Sequence, residues 1–199
     1  MNPPLYDFAA GTLRVFFRTA FRTRAYGLEN VPRQGALIVA CNHLSYLDPP
    51  ALCFLPRRIA FMAKKELFEI PVLGPLIRGL GAYPVDRRGS AKAAIKTSLE
   101  VLSNGGTVGI FPEGTRNPSG EVRPQTGVAL LAALSGAAVL PVLVLGGDRA
   151  GRLGQMKVVC GRPLAFERGR KATRDDLAKF TADVMSAISA LAGSIDGNS

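Results

Sequence analysis

Histidine is nearly missing from this 199-residue chain, which has His43 and no other. One imidazole and three scattered cysteines (Cys41, Cys53, Cys160) leave no set of clustered Cys and His ligands for the usual protein-bound zinc, so no metal is expected. Three is also an odd number for a disulfide framework. The thiols read as small, reduced core residues of a cytoplasmic protein. The chain has no Gly-x-x-x-x-Gly-Lys phosphate loop and no Gly-x-Gly-x-x-Gly fingerprint, so neither a nucleoside triphosphate nor a dinucleotide is indicated. A Gly-x-Ser-x-Gly nucleophile elbow is absent too. No charged-then-apolar leader with a cleavage site opens the sequence. The longest apolar runs, near residues 128–145, are broken by Ser135, Gly136 and Pro141. They fall short of the roughly 18–20 residues that a membrane-spanning helix needs.

Acidic groups are scarce relative to basic ones, 15 against 25, for a net charge of +10. Such a chain favours anionic partners: phosphate-bearing ligands, an anionic lipid surface or an acidic carrier protein. Neither a nucleic-acid motif nor a basic patch interleaved with stacking aromatics is present, and no nucleic-acid partner is expected. With 47% hydrophobic residues, the chain reads as one domain with a small appendage.

The appendage is residues 1–26, and the remaining domain is 27–199. Residues 4 to 24 have the pattern of a basic amphipathic helix. Leu5, Ala9, Leu13, Phe16 and Ala20 cluster on one side, flanked by Phe8, Phe17 and Phe21, with Arg14, Arg18 and Arg22 opposite. Two readings fit this pattern equally: an interfacial membrane helix, or a terminal helix packed on its own domain. Continuous apolar residues at 36–41 suit a strand buried on both faces. Further strands are expected at 59–63, 81–85, 107–111, 139–145 and 156–160, and helices at 66–78, 90–104, 125–135 and 173–193. Alternating strands and helices predict an α/β layered domain, with a central, largely parallel or mixed sheet flanked by helices.

Chemistry concentrates after the first strand, in Asn42-His43-Leu44-Ser45-Tyr46-Leu47-Asp48. An imidazole near neutral pKa is suited to take the proton of an attacking alcohol. A carboxylate on its other nitrogen would fix the tautomer. Five residues is not a same-face helical spacing, so His43 and Asp48 meet only across a strand-to-helix turn, which Pro49-Pro50 supports. In the plainer reading Asp48 caps the following helix and His43 is structural. Cys41 and Ser45 lie near enough to be considered as acyl-enzyme nucleophiles, but Cys41 reads as a core residue. Two more strands end in charged segments, Gly81 through Arg87 and Arg88, and Phe111-Pro112-Glu113-Gly114-Thr115-Arg116. Loops at carboxyl ends of strands converge on ligands in α/β sheets, where Arg87 and Arg116 are placed to hold a phosphate. Pairing with Asp86 and Glu113 is their plain alternative.

Taken in order, Asn42-His43 with Asp48, the Gly81–Arg87 segment, the Phe-Pro-Glu-Gly-Thr-Arg block and Val139-Leu140-Pro141-Val142 resemble the glycerolipid acyltransferase family, over roughly residues 27–165. The resemblance implies a fatty acyl transfer from an acyl-CoA or acyl-carrier-protein thioester to the free hydroxyl of a lysophospholipid, 1-acyl-glycerol-3-phosphate in the best-known members, giving phosphatidic acid. Another lysophospholipid or hydroxylated lipid is the alternative acceptor, and a non-catalytic lipid-binding module the alternative outside catalysis. It further implies His43 as base and Asp48 as its partner, with Arg87, Glu113, Gly114 and Arg116 on the glycerol phosphate and Asn42 and Pro141 in support. The activated thioester leaves no need for a cofactor. Val72, Leu73 and Ile77 are candidates for an acyl groove, or for buried core. The resemblance also favours the membrane reading of the N-terminal helix, with the protein peripheral on the cytoplasmic side of the membrane and in contact with its anionic surface. One departure is Gln125, where family members commonly carry a basic residue.

Overall fold

A computed structural model describes residues 1–85, 91–114, 125–147, 154–167 and 172–193. Its centre is a seven-stranded sheet in the order β1-β7-β6-β2-β5-β3-β4. The strands are β1 (Arg24–Tyr26), β2 (Leu37–Cys41), β3 (Ile59–Lys64), β4 (Tyr83–Val85), β5 (Thr107–Ile110), β6 (Ala138–Leu145) and β7 (Lys157–Cys160). β6, β2, β5, β3 and β4 run parallel, β7 runs antiparallel to β6, and β1 is parallel to β7. The expected layered α/β domain is what the chain forms.

Helices cover both faces because the central strands are apolar on both. Leu37, Val39 and Cys41 pack on one side with Phe17, Phe21 and Phe54. Those partners come from α1 (Pro3–Ala20) and Phe21 just past its end, and from the segment α2 (Asp48–Ala51) with its 3-10 continuation Leu52–Phe54. Ile38 and Ala40 face the other way, against Leu102, Val128, Leu131, Val184 and Ile188. These belong to α4 (Ala91–Ser103), α5 (Gly127–Ser135) and α6 (Arg174–Ala190). A capping box between Thr173 and Asp176 starts α6.

Two expectations needed correction. α1 stops at Ala20 rather than 24, because the N–H groups of Phe21 and Thr23 both turn back to the carbonyl of Phe17 and Arg22 takes the left-handed conformation (φ 47°). Arg22 therefore lies off the helix, and the three residues beyond Thr23 join the sheet as β1. Residues 66–78 form no single helix: a 3-10 turn at Lys65–Phe68 is followed by α3 (Leu73–Gly79). Gly74 fits so closely against the Phe68 backbone that a Cβ has no room there.

α1 and its C-cap residue Phe21 have two apolar sides. Ala10, Phe17 and Phe21 are buried in the core, each such phenylalanine contributing about 1.5–3 kcal/mol by burial. Phe8, Val15 and Phe16 face outward at 75%, 64% and 48% exposure. Among the described residues, no helix is long and apolar enough to cross a membrane.

Candidate active site

β2 lies between β6 and β5, so the chain leaving it at Asn42 starts from a rigid position. The buried Asn42 side chain extends the ladder beyond the strand end. Its Oδ1 accepts the N–H of Val144 at 2.8 Å, and its Nδ2 donates to the Val144 carbonyl at 2.9 Å. One side-chain amide thereby satisfies both backbone groups of a β6 residue that β2 no longer reaches.

The next residues turn tightly, with the N–H of Asp48 donating to the Ser45 carbonyl at 3.3 Å. Asp48 is the first residue of α2, and the capping position is Leu47, so the expected role of Asp48 as N-cap is corrected. Its carboxylate points back instead of forward. Oδ2 accepts the amides of Leu44 and Ser45 at 2.7 and 2.6 Å and meets Nδ1 of His43 at 3.4 Å. The pairing expected across the turn is present, with Asp48 1% and His43 17% exposed. Two amide donors fix the carboxylate, which in turn can orient the ring and hold its proton on Nδ1, leaving Nε2 to act as base. Asp48 Oδ1 is buried without a hydrogen-bond partner. Beside it lies Gly147, where a Cβ would stand 2.8 Å from Oδ1 and 3.0 Å from the Ser45 Cβ. Ser45 Oγ accepts the Leu47 amide at 3.1 Å and so serves the turn. The Cys41 thiol is fully buried and pushed well above its ordinary range, by burial first and then by the Asp48 charge. Neither is presented as a nucleophile.

A second strand end completes the cluster. Phe111, directly after β5, stacks on the His43 ring with centroids 4.3 Å apart and planes 26° apart. Phe61 of β3 stacks in turn on Phe111 at 6.1 Å. The Phe61 ring fills the space at Gly109 that a side chain would need. The stacking partner of His43 was missed in the sequence, though its signal is there as the residue heading the Phe-Pro-Glu-Gly-Thr-Arg block. Glu113 reaches the same place: its Oε1 accepts the backbone N–H of His43 at 3.4 Å, while Oε2 is buried and unpartnered. Burial chiefly pushes the Glu113 carboxyl up from its usual range, against the lowering effect of the His43 N–H. Gly114 adopts φ 71°, and the Gln125 side chain occupies the space where a Cβ would be. Gln125 is anchored by its own N–H to the Pro112 carbonyl at 2.8 Å, so the departing residue of the resemblance lies against the site.

Pro141 sits inside β6, opposite Ala40. Its carbonyl faces β7 and accepts the Gly161 N–H at 2.9 Å. The missing N–H therefore points to the place where β7 ends after Cys160, and the strand tolerates it. Arg87 and Arg116 lie outside the described residues, as do Asp86, Arg88 and Thr115. The described chain stops at Val85 and Gly114, both on the rim of strand ends that carries His43. Val72 precedes α3 with φ 67° and is 82% exposed, and Leu73 and Ile77 are half-buried on α3. A β-branched residue at positive φ is strained.

Comparison with known proteins gives the family and the fold. The Acyltransferase family's sequence model matches residues 22–145. The chain is 34% identical over 165 residues to the 1-acyl-sn-glycerol-3-phosphate acyltransferase of Bacillus subtilis (strain 168), covering 80% of this chain and 82% of that protein. A protein of the same name from Borreliella burgdorferi is 34% identical over 120 residues, 58% of this chain and 48% of its own length. The crystal structure of the 1-acyl-sn-glycerophosphate (LPA) acyltransferase PlsC from Thermotoga maritima superposes with a TM-score of 0.73 at 28% identity, covering 92% of this chain and 78% of that one. With a family match that contains His43, Asp48, Glu113 and the strands that carry them, the chain belongs to the acyltransferase family.

Proposed function

We propose that this enzyme moves a fatty acyl chain from an acyl-CoA or acyl-carrier-protein thioester to the free hydroxyl of 1-acyl-glycerol-3-phosphate, giving phosphatidic acid. The observation that carries the reading is the approach of His43 Nδ1 to Asp48 Oδ2 at the end of the central strand. His43 Nε2 takes the hydroxyl proton as the oxygen attacks the thioester carbonyl. The new C–O bond forms, the C–S bond breaks, and the imidazolium returns the proton to the departing thiolate. Asp48 stabilises the imidazolium in between. Stacking on Phe111 holds the ring plane. Direct attack needs no acyl-enzyme, in keeping with the buried Cys41 and the turn-bound Ser45.

In this reading Arg87 and Arg116 hold the acceptor phosphate, and Glu113 and Gly114 shape the glycerol side. The outward face of α1 with Phe8, Val15 and Phe16 supports peripheral attachment to a membrane, on its cytoplasmic side, where acceptor and product reside. Gln125 against Gly114 favours a second reading with the same chemistry, in which the acceptor is another lysophospholipid or a hydroxylated lipid. Thiol release from acyl-CoA, measured with and without lysophosphatidic acid and then across an acceptor panel, tests both. No acceptor-dependent release with either donor would overturn the acyl-transfer reading.

A further inference from the structure

At the opposite edge of the sheet from β4, a cavity of about 440 Å³ is lined by Arg14, Arg18, Thr23, Arg24, Phe54 and Pro56, among others. Three arginines line it, and among its lining residues there is no carboxylate. Two of them are held in place. Arg14 spends Nε on the Cys53 carbonyl at 2.6 Å, and Arg18 lies over the Phe54 ring at 5.7 Å. Thr23, in the same wall, has a buried hydroxyl with no hydrogen-bond partner. A solvated basic face leaves its arginines free of such anchors and its hydroxyls wet.

We infer that this cavity is a binding site for a phosphate group, separate from the acceptor's site beside His43. Guanidinium groups bind phosphate through paired, charge-assisted hydrogen bonds, and several around one small volume suit a group with many acceptor oxygens. The chemistry occurs in two sources, the head group of an anionic phospholipid and the phosphates of coenzyme A. The setting favours the lipid. Arg18 follows Val15 by one helical turn, so it borders the outward apolar face of α1. Arg24 is in register with Lys157, which pairs with Leu145 at the carboxyl end of β6. The lining runs on through Ala25 and Tyr26 to Leu28, and its Arg24 end lies at the rim that carries His43. A phosphate held there fixes which end of the sheet faces the bilayer.

The site does not depend on the reaction, so its test reads binding alone. Full-length protein is sedimented with vesicles of phosphatidylcholine, with and without phosphatidylglycerol, and titrated separately with inorganic phosphate and coenzyme A. Arg18→Gln/Arg24→Gln is compared with Arg33→Gln/Arg162→Gln, which removes the same charge from exposed positions outside the cavity. Melting curves accompany each variant, and Arg18→Lys/Arg24→Lys keeps the charge without the paired geometry. We expect the cavity variant to lose about tenfold or more in binding to phosphatidylglycerol vesicles, as loss of charge-assisted hydrogen bonds does. The control loses much less, and the lysine variant falls between. A loss confined to coenzyme A keeps the site and assigns it to the donor. Equal losses in cavity and control variants, or no loss in the folded cavity variant with any probe, overturn the proposal.

Discussion

Gly147 leaves room for Asp48: a Cβ there would lie 2.8 Å from Oδ1 of the carboxylate that faces His43. The neighbouring atoms are a carboxylate held by two amides and the Cβ of Ser45, neither of which yields cheaply. Gly147→Ala should push the carboxylate off the imidazole while the fold persists. Misplacement by about 1 Å can cost on the order of 100-fold in rate, so we expect kcat to fall by about that factor with KM little changed. The effect should be absent in an Asp48→Asn background. Full additivity of the two changes would remove Gly147 from the site.

His43→Ala should nearly abolish acyl transfer, by about 10²- to 10⁴-fold, in a protein that melts as the wild type does. Asp48→Asn should cost less, since Oδ1 of an asparagine can still accept the amides of Leu44 and Ser45 while only the orientation of the ring is weakened. Wild-type turnover by folded His43→Ala would end the general-base mechanism.

Arg87→Ala and Arg116→Ala should weaken use of a phosphate-bearing acceptor by about 10- to 150-fold, the range expected for a charge-assisted hydrogen bond. Donor KM should change little. Equal losses with an acceptor that lacks phosphate would assign these arginines to the fold or the donor.

Glu113 carries a pH signature. Burial raises its carboxyl above the ordinary value, so between the unfolded and folded values the native state binds the extra proton. Stability is then greatest below the unfolded value and falls as pH rises through the folded one. Glu113→Gln removes the ionisable group and should flatten this part of the melting profile on the acid side of neutrality. A parallel fall in wild type and variant would show that other groups set the slope.

Phe8, Val15 and Phe16, replaced together by Ser, should lose binding to neutral and anionic vesicles alike at high salt, where the basic residues are screened. Being exposed, they should leave the melting temperature nearly unchanged. Retained high-salt binding in the variant would take the membrane contact away from this face.

Several of these features are visible in the sequence because they depend on local pattern. The apolar run at 36–41 marks β2, and the turn-forming stretch to Pro49-Pro50 brings His43 and Asp48 together. What the spacing does not reveal is direction: the carboxylate bonds to amides behind it, which moved the cap to Leu47. The end of α1 was hidden because Arg22 adopts a left-handed conformation usually given to glycine, and a helical pattern of arginines runs straight through it. Consequently Arg22 was expected beside Arg14 and Arg18, whereas the fold puts Arg24 there. β1 is too short, at Arg24–Tyr26, to show a period. Phe111 on His43 and Asn42 on Val144 are tertiary pairings between strand ends: the motif marks Phe111, but local spacing does not say what it touches.

The bond between Asn42 and Val144 spans 102 residues of chain. β6 must be made and docked on β2 before Asn42 can hold the end of that strand in place. A ribosome-bound or prematurely ended chain lacking β6 can contain His43, Asp48 and Glu113 and still lack the anchor that precedes His43. The Asn42 anchor is thus completed late in synthesis, after the segments that bear His43, Asp48 and Glu113 have all been made.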